Sequence, residues 1–529
     1  MRRWNGWGEE SINHDLNSDA LEFLTQALGQ GQMLQTASKD EALKGIPPSR
    51  VEPSQLFSVE PYDRLSHARG QSIDDWLALK SGKIGVFPDA VAFPRDGAEV
   101  RAVLETAMDK GYEVIPYGGG TSVAGHISPL RSERPILTVS MRRINQLKHL
   151  DEDSQLATIG AGAYGPEVEA QLRGHGYTLG HFPQSFELST LGGWIATRSS
   201  GQQSLHYGRV EGLFAGGTLE TPRGTLNIPT FPASAAGPDI REMVLGSEGR
   251  MGILTDVKVR VSRLPELEKF YGIFFPSWQK AKGAVRELVQ EKVPLSMLRL
   301  SNVEETRTNL ILAGHKKAVG ALEAYLQLRG PGPGKCLLMA GVTGEKQGVQ
   351  ASLRRVRQVV RNYDGVSTGQ VLGQKWAEKR FSAPYLREAL WQKGYLVDTV
   401  ETATDWVNTD ALMEHVEDQL RTGLVEEGEA VHVFTHLSHV YSQGSSCYTT
   451  YVFRNGATYD ETRRRWQKLK DRASRAIVAK KGTISHQHGV GKDHKPYLAE
   501  EKDPLGMEMI ESLVTRMDPK GLMNPGALL

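Results

Sequence analysis

Thr178-Leu-Gly-His-Phe-Pro-Gln-Ser-Phe-Glu-Leu-Ser-Thr-Leu-Gly-Gly-Trp-Ile-Ala-Thr-Arg-Ser-Ser-Gly201 is the stretch around which the chain is organised. Small hydroxyl and glycine residues are dense in it: Ser185, Ser189, Thr190, Gly192, Gly193, Ala196, Thr197, Ser199, Ser200 and Gly201. Glycine lets backbone N–H groups approach a ligand closely, and hydroxyls bond its oxygens, so the composition suits a long, phosphate-bearing ligand. A Ser/Gly-rich surface loop is the plainer alternative. Phe182, Phe186, Leu191, Trp194 and Ile195 are threaded through the stretch, however, and apolar residues so placed signal a core.

Two loops of the same kind flank it. Val114-Ile-Pro-Tyr-Gly-Gly-Gly-Thr-Ser-Val123 runs from an apolar strand into a glycine turn, and Leu245-Gly-Ser-Glu-Gly-Arg-Met-Gly-Ile-Leu-Thr255 leads into an alternating strand at 256–261. The first is neither the dinucleotide fingerprint G-x-G-x-x-G nor a P-loop, since no G-K-[ST] follows. Three such loops imply a ligand laid across several loops rather than seated on one helix.

The order P-x-G-G-G-T-S, H-F-P-Q-S-F-E-x-S-T-x-G-G-W, G-S-E-G-x-x-G resembles the flavin-binding domain of the vanillyl-alcohol-oxidase-type flavoproteins. Within them it resembles the alkyldihydroxyacetonephosphate synthases, nearly end to end from Arg2-Arg-Trp-Asn-Gly-Trp-Gly8. The resemblance implies an α+β fold: a PCMH-type FAD-binding domain of two α+β subdomains, and an α+β substrate-binding cap. It places an N-terminal helical and irregular segment at 1–81 and the FAD-binding domain at 82–264. The cap follows at 265–482, and 483–529 returns to the flavin.

The cofactor residues it implies are Pro116, Tyr117, Gly118, Gly119, Gly120, Thr121 and Ser122 in the first loop. The second contributes Gln184, Ser185, Phe186, Glu187, Leu188, Ser189, Thr190, Gly192, Gly193, Thr197, Arg198, Ser199 and Ser200, and the third Glu248, Gly249, Gly252, Ile253 and Leu254. Several relatives hold flavin covalently through His or Cys near the first loop. Gly118–Ser122 contains neither, although His126 follows, so non-covalent FAD is expected.

In those synthases the acyl chain of an acyl-dihydroxyacetone phosphate leaves as a fatty acid and a fatty alcohol takes its place, with no net redox change. By the resemblance Tyr448, in Tyr441-Ser-Gln-Gly-Ser-Ser-Cys-Tyr-Thr-Thr-Tyr451, is the general acid/base; on composition alone it is an ordinary strand tyrosine. Ser485-His486-Gln487-His488-Gly489 resembles the synthases' Ser-His-His-His-Gly, marking His486 and His488 as catalytic. Gln487 departs from that pattern, because an amide cannot take up a proton. The stretch reads as strand-like. Arg299 matches an arginine needed near the ring, and Arg387 aligns loosely with a substrate-phosphate arginine.

Two other readings stay open. A flavin-linked 2-hydroxyacid oxidase or dehydrogenase of the D-lactate or glycolate type shares the fold, but such enzymes bind a metal through two His and a Glu. Gln487 stands where that Glu would be, and strand spacing scatters His432, His436 and His439, so no metal site is expected. A non-catalytic flavin-fold binding protein is the second.

Composition adds limits. At 529 residues the chain is too long for one core. Lys+Arg 63 against Asp+Glu 62 leaves no bulk charge for nucleic acid. Cys336 and Cys447 are too few for a disulfide framework, which favours a reducing compartment. No secretory h-region, no apolar run of roughly 18 residues and no C-terminal S-K-L address is present, so the expectation is a cytoplasmic protein. Lipid substrates imply peripheral membrane contact, and a homodimer is the other association considered.

Periodicity predicts helices at 19–28, 73–80, 98–110, 164–175, 279–292, 319–328, 346–363 and 411–427. Strands are predicted at 113–117, 135–140, 157–159, 256–261, 271–275, 336–341, 431–437 and 446–453. Trp4 and Trp7 are expected to pack under the flavin domain, and the basic run Arg64–Gly70 is either a phosphate contact or a surface loop.

Overall fold

The glycine turn at 118–120 caps a small, mostly parallel sheet. The computed structural model describes residues 2–314 and 316–529. β1 (Phe57–Ser58), β2 (Ala90–Ala92), β3 (Glu113–Tyr117) and β4 (Ile136–Ser140) form this sheet in the order β1-β2-β4-β3. β2 and β3 run parallel to β4, which demands crossover connections. The helix Gly97–Lys110 supplies one. Asp96 caps its start by accepting from the Glu99 N–H, and Val100, Val103, Leu104 and Ala107 bury one face. Gly111 ends it at φ 71°, a left-handed turn that suits glycine.

β5 (Leu147–Asp151), β6 (Leu156–Gly160), β7 (Tyr177–Thr178), β8 (Phe214–Thr221), β9 (Gly224–Ile228), β10 (Ile253–Arg260) and β11 (Ser262–Arg263) follow. Five of them make an antiparallel sheet in the order β5-β6-β10-β8-β9, and β7 pairs with β11 as a short ribbon. In β10, Val257 and Val259 are buried while Lys258 is exposed, the alternation of a sheet with one wet face. The decisive stretch folds over this sheet as turns and a short helix, Leu191–Ala196. Leu191, Trp194 and Ile195 enter the sheet's core together with Phe182 and Phe186.

The cap is a third sheet built from β12 (Leu267–Phe275), β13 (Met297–Ser301), β14 (Cys336–Gly344), β15 (Val366–Ser367), β16 (Tyr395–Asp405), β17 (Val431–Leu437) and β18 (Gly444–Arg454). Its order is β15-β12-β14-β13-β17-β18-β16, antiparallel throughout. Helices Trp278–Gln290, Lys346–Asn362, Thr409–Arg421 and Tyr459–Ala479 cover one face and share one apolar core with it. Side chains of the opposite face look into a cavity shared with the flavin loops. The closing tail returns to the first sheet, where Val114 N–H donates to the Leu522 carbonyl and Asn524 N–H to the Val114 carbonyl, both at 2.8 Å.

The fold is α+β, as expected, with local corrections. Trp7, Ile73, Trp76 and Leu77 join the core of the cap sheet rather than packing under the flavin-binding sheets. Arg64 is buried and structural, its guanidinium donating to the carbonyls of Pro88 and Pro47 at 2.7 and 2.8 Å. The helix expected to reach 427 stops at Arg421, and a separate 3-10 turn covers Val425–Glu427. The helix Tyr459–Ala479 and the strand β16 were not anticipated.

Candidate active site

The first-loop glycines are fixed by how closely the second loop crosses them. A Cβ on Gly119 would lie 1.8 Å from the Leu188 carbonyl oxygen, and one on Gly118 would lie 2.3 Å from Thr190 Oγ1. The Thr190 hydroxyl is buried and has no protein partner, so it is free for a ligand oxygen. The cradle fits the polar, phosphate-bearing part of a flavin dinucleotide: bare backbone, an orphan hydroxyl, and Ser185, Ser189, Thr197 and Ser199 on the same wall. Gly119→Ala should therefore yield protein lacking its flavin, read as loss of the visible absorbance after purification. Full flavin content would contradict that.

All of Pro116–Ser122 line the cavity, as do Gln184, Ser185, Ser189, Thr190, Gly192, Gly193, Thr197, Ser199, Glu248, Gly249, Gly252, Ile253 and Leu254. Phe186, Glu187, Leu188, Arg198 and Ser200 do not, because turns and a short helix carry them away from the ligand side. Phe186 stacks on Phe381 with centroids 4.8 Å apart, and the Glu187 carboxylate accepts from Tyr385 Oη at 3.4 Å. Leu188 meets the loop through its carbonyl, Arg198 donates to Glu242 at 2.8 Å, and the Ser200 hydroxyl is buried behind the wall. Sequence reading missed Trp7, Thr399 and Asn524 as lining residues.

His126 is committed elsewhere. Its Nδ1 lies 2.5 Å from Ser122 Oγ and its Nε2 3.2 Å from Glu248 Oε1. Burial alone would lower its pKa, but the Glu248 carboxylate raises it. Glu248 also accepts from the backbone N–H groups of Val490 and Gly491, tying the third loop to the C-terminal segment.

Across the cavity, the cap sheet aligns its polar residues by register. Tyr448 on β18 lies opposite Glu401 on β16 and His436 on β17, so the three share one face. Tyr448 stacks on His436 at 4.8 Å and meets His488 edge-on at 6.0 Å. Burial pushes its phenol well above the usual range, with a hydrogen bond to Thr399 opposing, so the hydroxyl is protonated at neutral pH. Arg299 donates to Glu305 Oε1 at 2.6 Å, while its Nη2 lies 3.1 Å from His436 Nδ1. Burial would raise Glu305, but the Arg299 guanidinium and His436 bring its pKa down to about 2. Arg387 donates to the Gln71 carbonyl at 2.5 Å, sits 3.7 Å from Asp398 Oδ1 and still lines the cavity.

Segment 483–491 is irregular, not strand-like, and it forms the wall between this cavity and a second one of 810 Å³. Gln487 and His488 line the first, whereas His486 lines the second together with Arg209 and Tyr441. Glu401 stands between them with its side chain fully buried. Its Oε1 lies 3.1 Å from His486 Nδ1 and 3.4 Å from His439 Nδ1, and accepts from Ser438 Oγ at 2.8 Å. Its Oε2 accepts from Gln487 Nε2 at 2.5 Å and lies 3.8 Å from His488 Nε2. Burial would raise this carboxyl, yet His439 and His486 hold it well below the ordinary range.

The premise that no carboxylate stands near these histidines is thus corrected. Glu401, His439 and His486 bring ligand atoms within 4.8 Å of one another. Those atoms already hydrogen-bond each other, and the Arg209 cation lies 2.7 Å from the other nitrogen of His486. A cation so close opposes a second cation, so the cluster reads as a hydrogen-bond network. His432 and His436 stand apart from it, beside Glu304 and Glu305.

Comparison with known proteins agrees with this geometry. A family model described as FAD binding domain matches residues 88–228, and one described as FAD linked oxidases, C-terminal domain, matches 264–528. The chain is 31% identical to an alkyldihydroxyacetonephosphate synthase of Dictyostelium discoideum, over 88% of this chain and 77% of that one. It is 28% identical to one of Trypanosoma brucei brucei, over 100% of this chain and 92% of that one. A solved alkyldihydroxyacetonephosphate synthase superposes with a TM-score of 0.84 at 26% identity, covering 99% of this chain and 98% of that one.

Proposed function

The chain belongs to the alkyldihydroxyacetonephosphate synthase family of FAD-linked oxidases, and from that premise we propose that it exchanges the acyl chain of acyl-dihydroxyacetone phosphate for a fatty alcohol. The observation that carries the reading is the convergence of Tyr448, His488, Arg299 and Arg387 on the cavity that the three flavin loops line. FAD is the cofactor, and it supplies the electron-accepting ring that lets the substrate carbon change partners without net oxidation.

The chain's own groups divide the remaining work. Arg387, anchored by Asp398 and the Gln71 carbonyl, offers a positioned cation for the substrate phosphate. Tyr448 begins protonated, so it donates to the departing carboxylate and can afterwards take a proton back. Arg299, held by Glu305 and His436, places positive charge at the far end of the cavity. His488 is the remaining imidazole on that wall. Burial lowers its pKa while Glu401 opposes the fall, so the neutral ring accepts a proton at neutral pH.

Peripheral contact with a lipid surface follows from such substrates; among the described residues no helix is long and apolar enough to cross a membrane. We hold the flavin to be non-covalent because His126 is engaged by Ser122 and Glu248. Acid precipitation should leave all the flavin in the supernatant; flavin in the pellet would overturn this. The exchange itself is tested by titrating a long-chain alcohol into protein holding acyl-dihydroxyacetone phosphate. Fatty acid should be released without any electron acceptor, and release that requires an acceptor would refute the reading.

A further inference from the structure

Glu401 lies buried inside the partition between the two cavities and contacts residues that line each of them. On the flavin side its Oε2 holds the Gln487 amide at 2.5 Å and faces His488 Nε2 at 3.8 Å. On the other side its Oε1 meets His486 Nδ1 at 3.1 Å. His486 Nε2 in turn lies 2.6 Å from Tyr441 Oη and 2.7 Å from Arg209 Nη1.

The tautomer follows from Arg209, which has hydrogens to give and no lone pair to offer. His486 Nε2 must therefore be the acceptor, so the hydrogen sits on Nδ1 and points at Glu401. Carboxylate, imidazole and hydroxyl thus stand in line. Tyr441 is partly exposed in the second cavity; burial raises its phenol, and Arg209, donating to its oxygen at 3.0 Å, opposes that rise. The flavin cavity, once filled by a lipid chain, has little room for water, yet the exchange moves protons onto and off the substrate. This argument rests on the function proposed above.

We infer that Glu401, His486 and Tyr441 form a proton path joining the flavin cavity to the second cavity, with Arg209 fixing its direction of hydrogen bonding. Inward, the Tyr441 O–H proton passes to His486 Nε2 and the His486 Nδ1 proton passes to Glu401. The carboxyl group turns about its Cγ–Cδ bond and gives that proton to His488 Nε2, while Tyr441 takes one from water in the second cavity. The net change is one proton moved from water of the second cavity, left as hydroxide, to His488, with His486 converted from its Nδ1–H to its Nε2–H form. The reverse sequence discharges a proton and restores the Nδ1–H form of His486. Gln487 cannot carry a proton; in the resting state its amide donates to Oε2, a bond that the turning carboxyl group exchanges. Neither Glu401 nor Tyr441 lines the cavity of the flavin loops, so they are positioning and relay residues.

The test runs the exchange in D2O and measures deuterium entering the substrate carbon per ether product formed. Tyr441→Phe lies at a partly exposed site and should keep its fold and its flavin. Its deuterium incorporation per turnover should fall at least about tenfold, within the range of a lost proton-transfer group. Glu401→Gln should do the same, and Glu401→Asp should recover part of the loss. Unchanged incorporation per turnover in Tyr441→Phe overturns the path. An independent reading comes from 15N-histidine NMR of the holoprotein, with His486→Asn to assign the signal. A neutral Nδ1–H ring supports the path even where no ether product forms, whereas an Nε2–H or doubly protonated ring overturns it.

Discussion

Tyr448→Phe is expected to retain FAD and lose alkyl exchange by about 10²- to 10⁴-fold, the span that a positioned acid/base group contributes. The substitution removes one oxygen from a buried ring whose stacking on His436, at 4.8 Å, does not depend on it. The change keeps the ring and its packing, so it should not unfold a domain of this size. Flavin content should be unchanged because Tyr448 sits on the cap sheet and none of the glycine loops leans on it. Loss of activity with an intact flavin spectrum identifies a chemical role. Turnover at the wild-type rate would remove Tyr448 from the mechanism and leave it as a core tyrosine of β18.

Arg299→Ala should have a second, different signature. Glu305 is buried and takes its principal charge from Arg299, so the variant leaves a carboxylate with only His436 beside it. Breaking a buried pair from one side costs on the order of 3–5 kcal/mol, which should appear as a lower Tm as well as lost exchange. Because the folded Glu305 titrates near 2, its contribution is present above the ordinary carboxylate range and is lost as pH falls toward about 2. The gap in stability between wild type and Arg299→Ala should therefore close at low pH. Adding Glu305→Gln to Arg299→Ala should restore part of the Tm and none of the activity, a non-additivity that separates the structural from the chemical loss. Arg299→Lys keeps the charge but not the planar fork, so it should fold and still exchange poorly. Equal activity in all four proteins would take Arg299 out of the site.

The flavin-binding half was readable because its ligand contacts are local: Gly118–Gly120, Thr190 and Gly249 lie in motifs whose residue types announce bare backbone and free hydroxyls. What sequence could not show was which side of a turn each residue takes, and so Phe186 and Arg198 were placed with the ligand when packing and an ion pair turn them away. The cap was legible where the apolar signal was clean, as a continuous run in β14 and an alternation in β17. β16 was missed because Asp398 and Glu401 interrupt its pattern with residue types that strands usually avoid. That omission hid Glu401, the carboxylate on which His439, His486 and Gln487 converge. No local signal could have found it, since its partners come from segments far along the chain and meet only through sheet register. The helix Tyr459–Ala479 was overlooked for a related reason: its charged residues mask the apolar stripe of Trp466, Leu469, Ala473 and Ile477.

Gln487 marks the sharpest difference between this chain and the Ser-His-His-His-Gly pattern that its segment 485–489 resembles. The amide donates to Glu401 Oε2, so the carboxylate keeps a partner on the flavin side without a second titrating ring there. Of the segment's two histidines, His488 lines the cavity of the flavin loops and His486 the second cavity.

The most direct measurement combines purified holoprotein, palmitoyl-dihydroxyacetone phosphate and labelled hexadecanol, in the absence of oxygen and of any electron acceptor. The account predicts label in an ether-linked dihydroxyacetone phosphate, one palmitate released per ether formed, and a flavin spectrum restored to its oxidised form at the end. No labelled ether, together with bleaching of the flavin by a 2-hydroxyacid, would contradict it and assign the site to hydroxyacid oxidation.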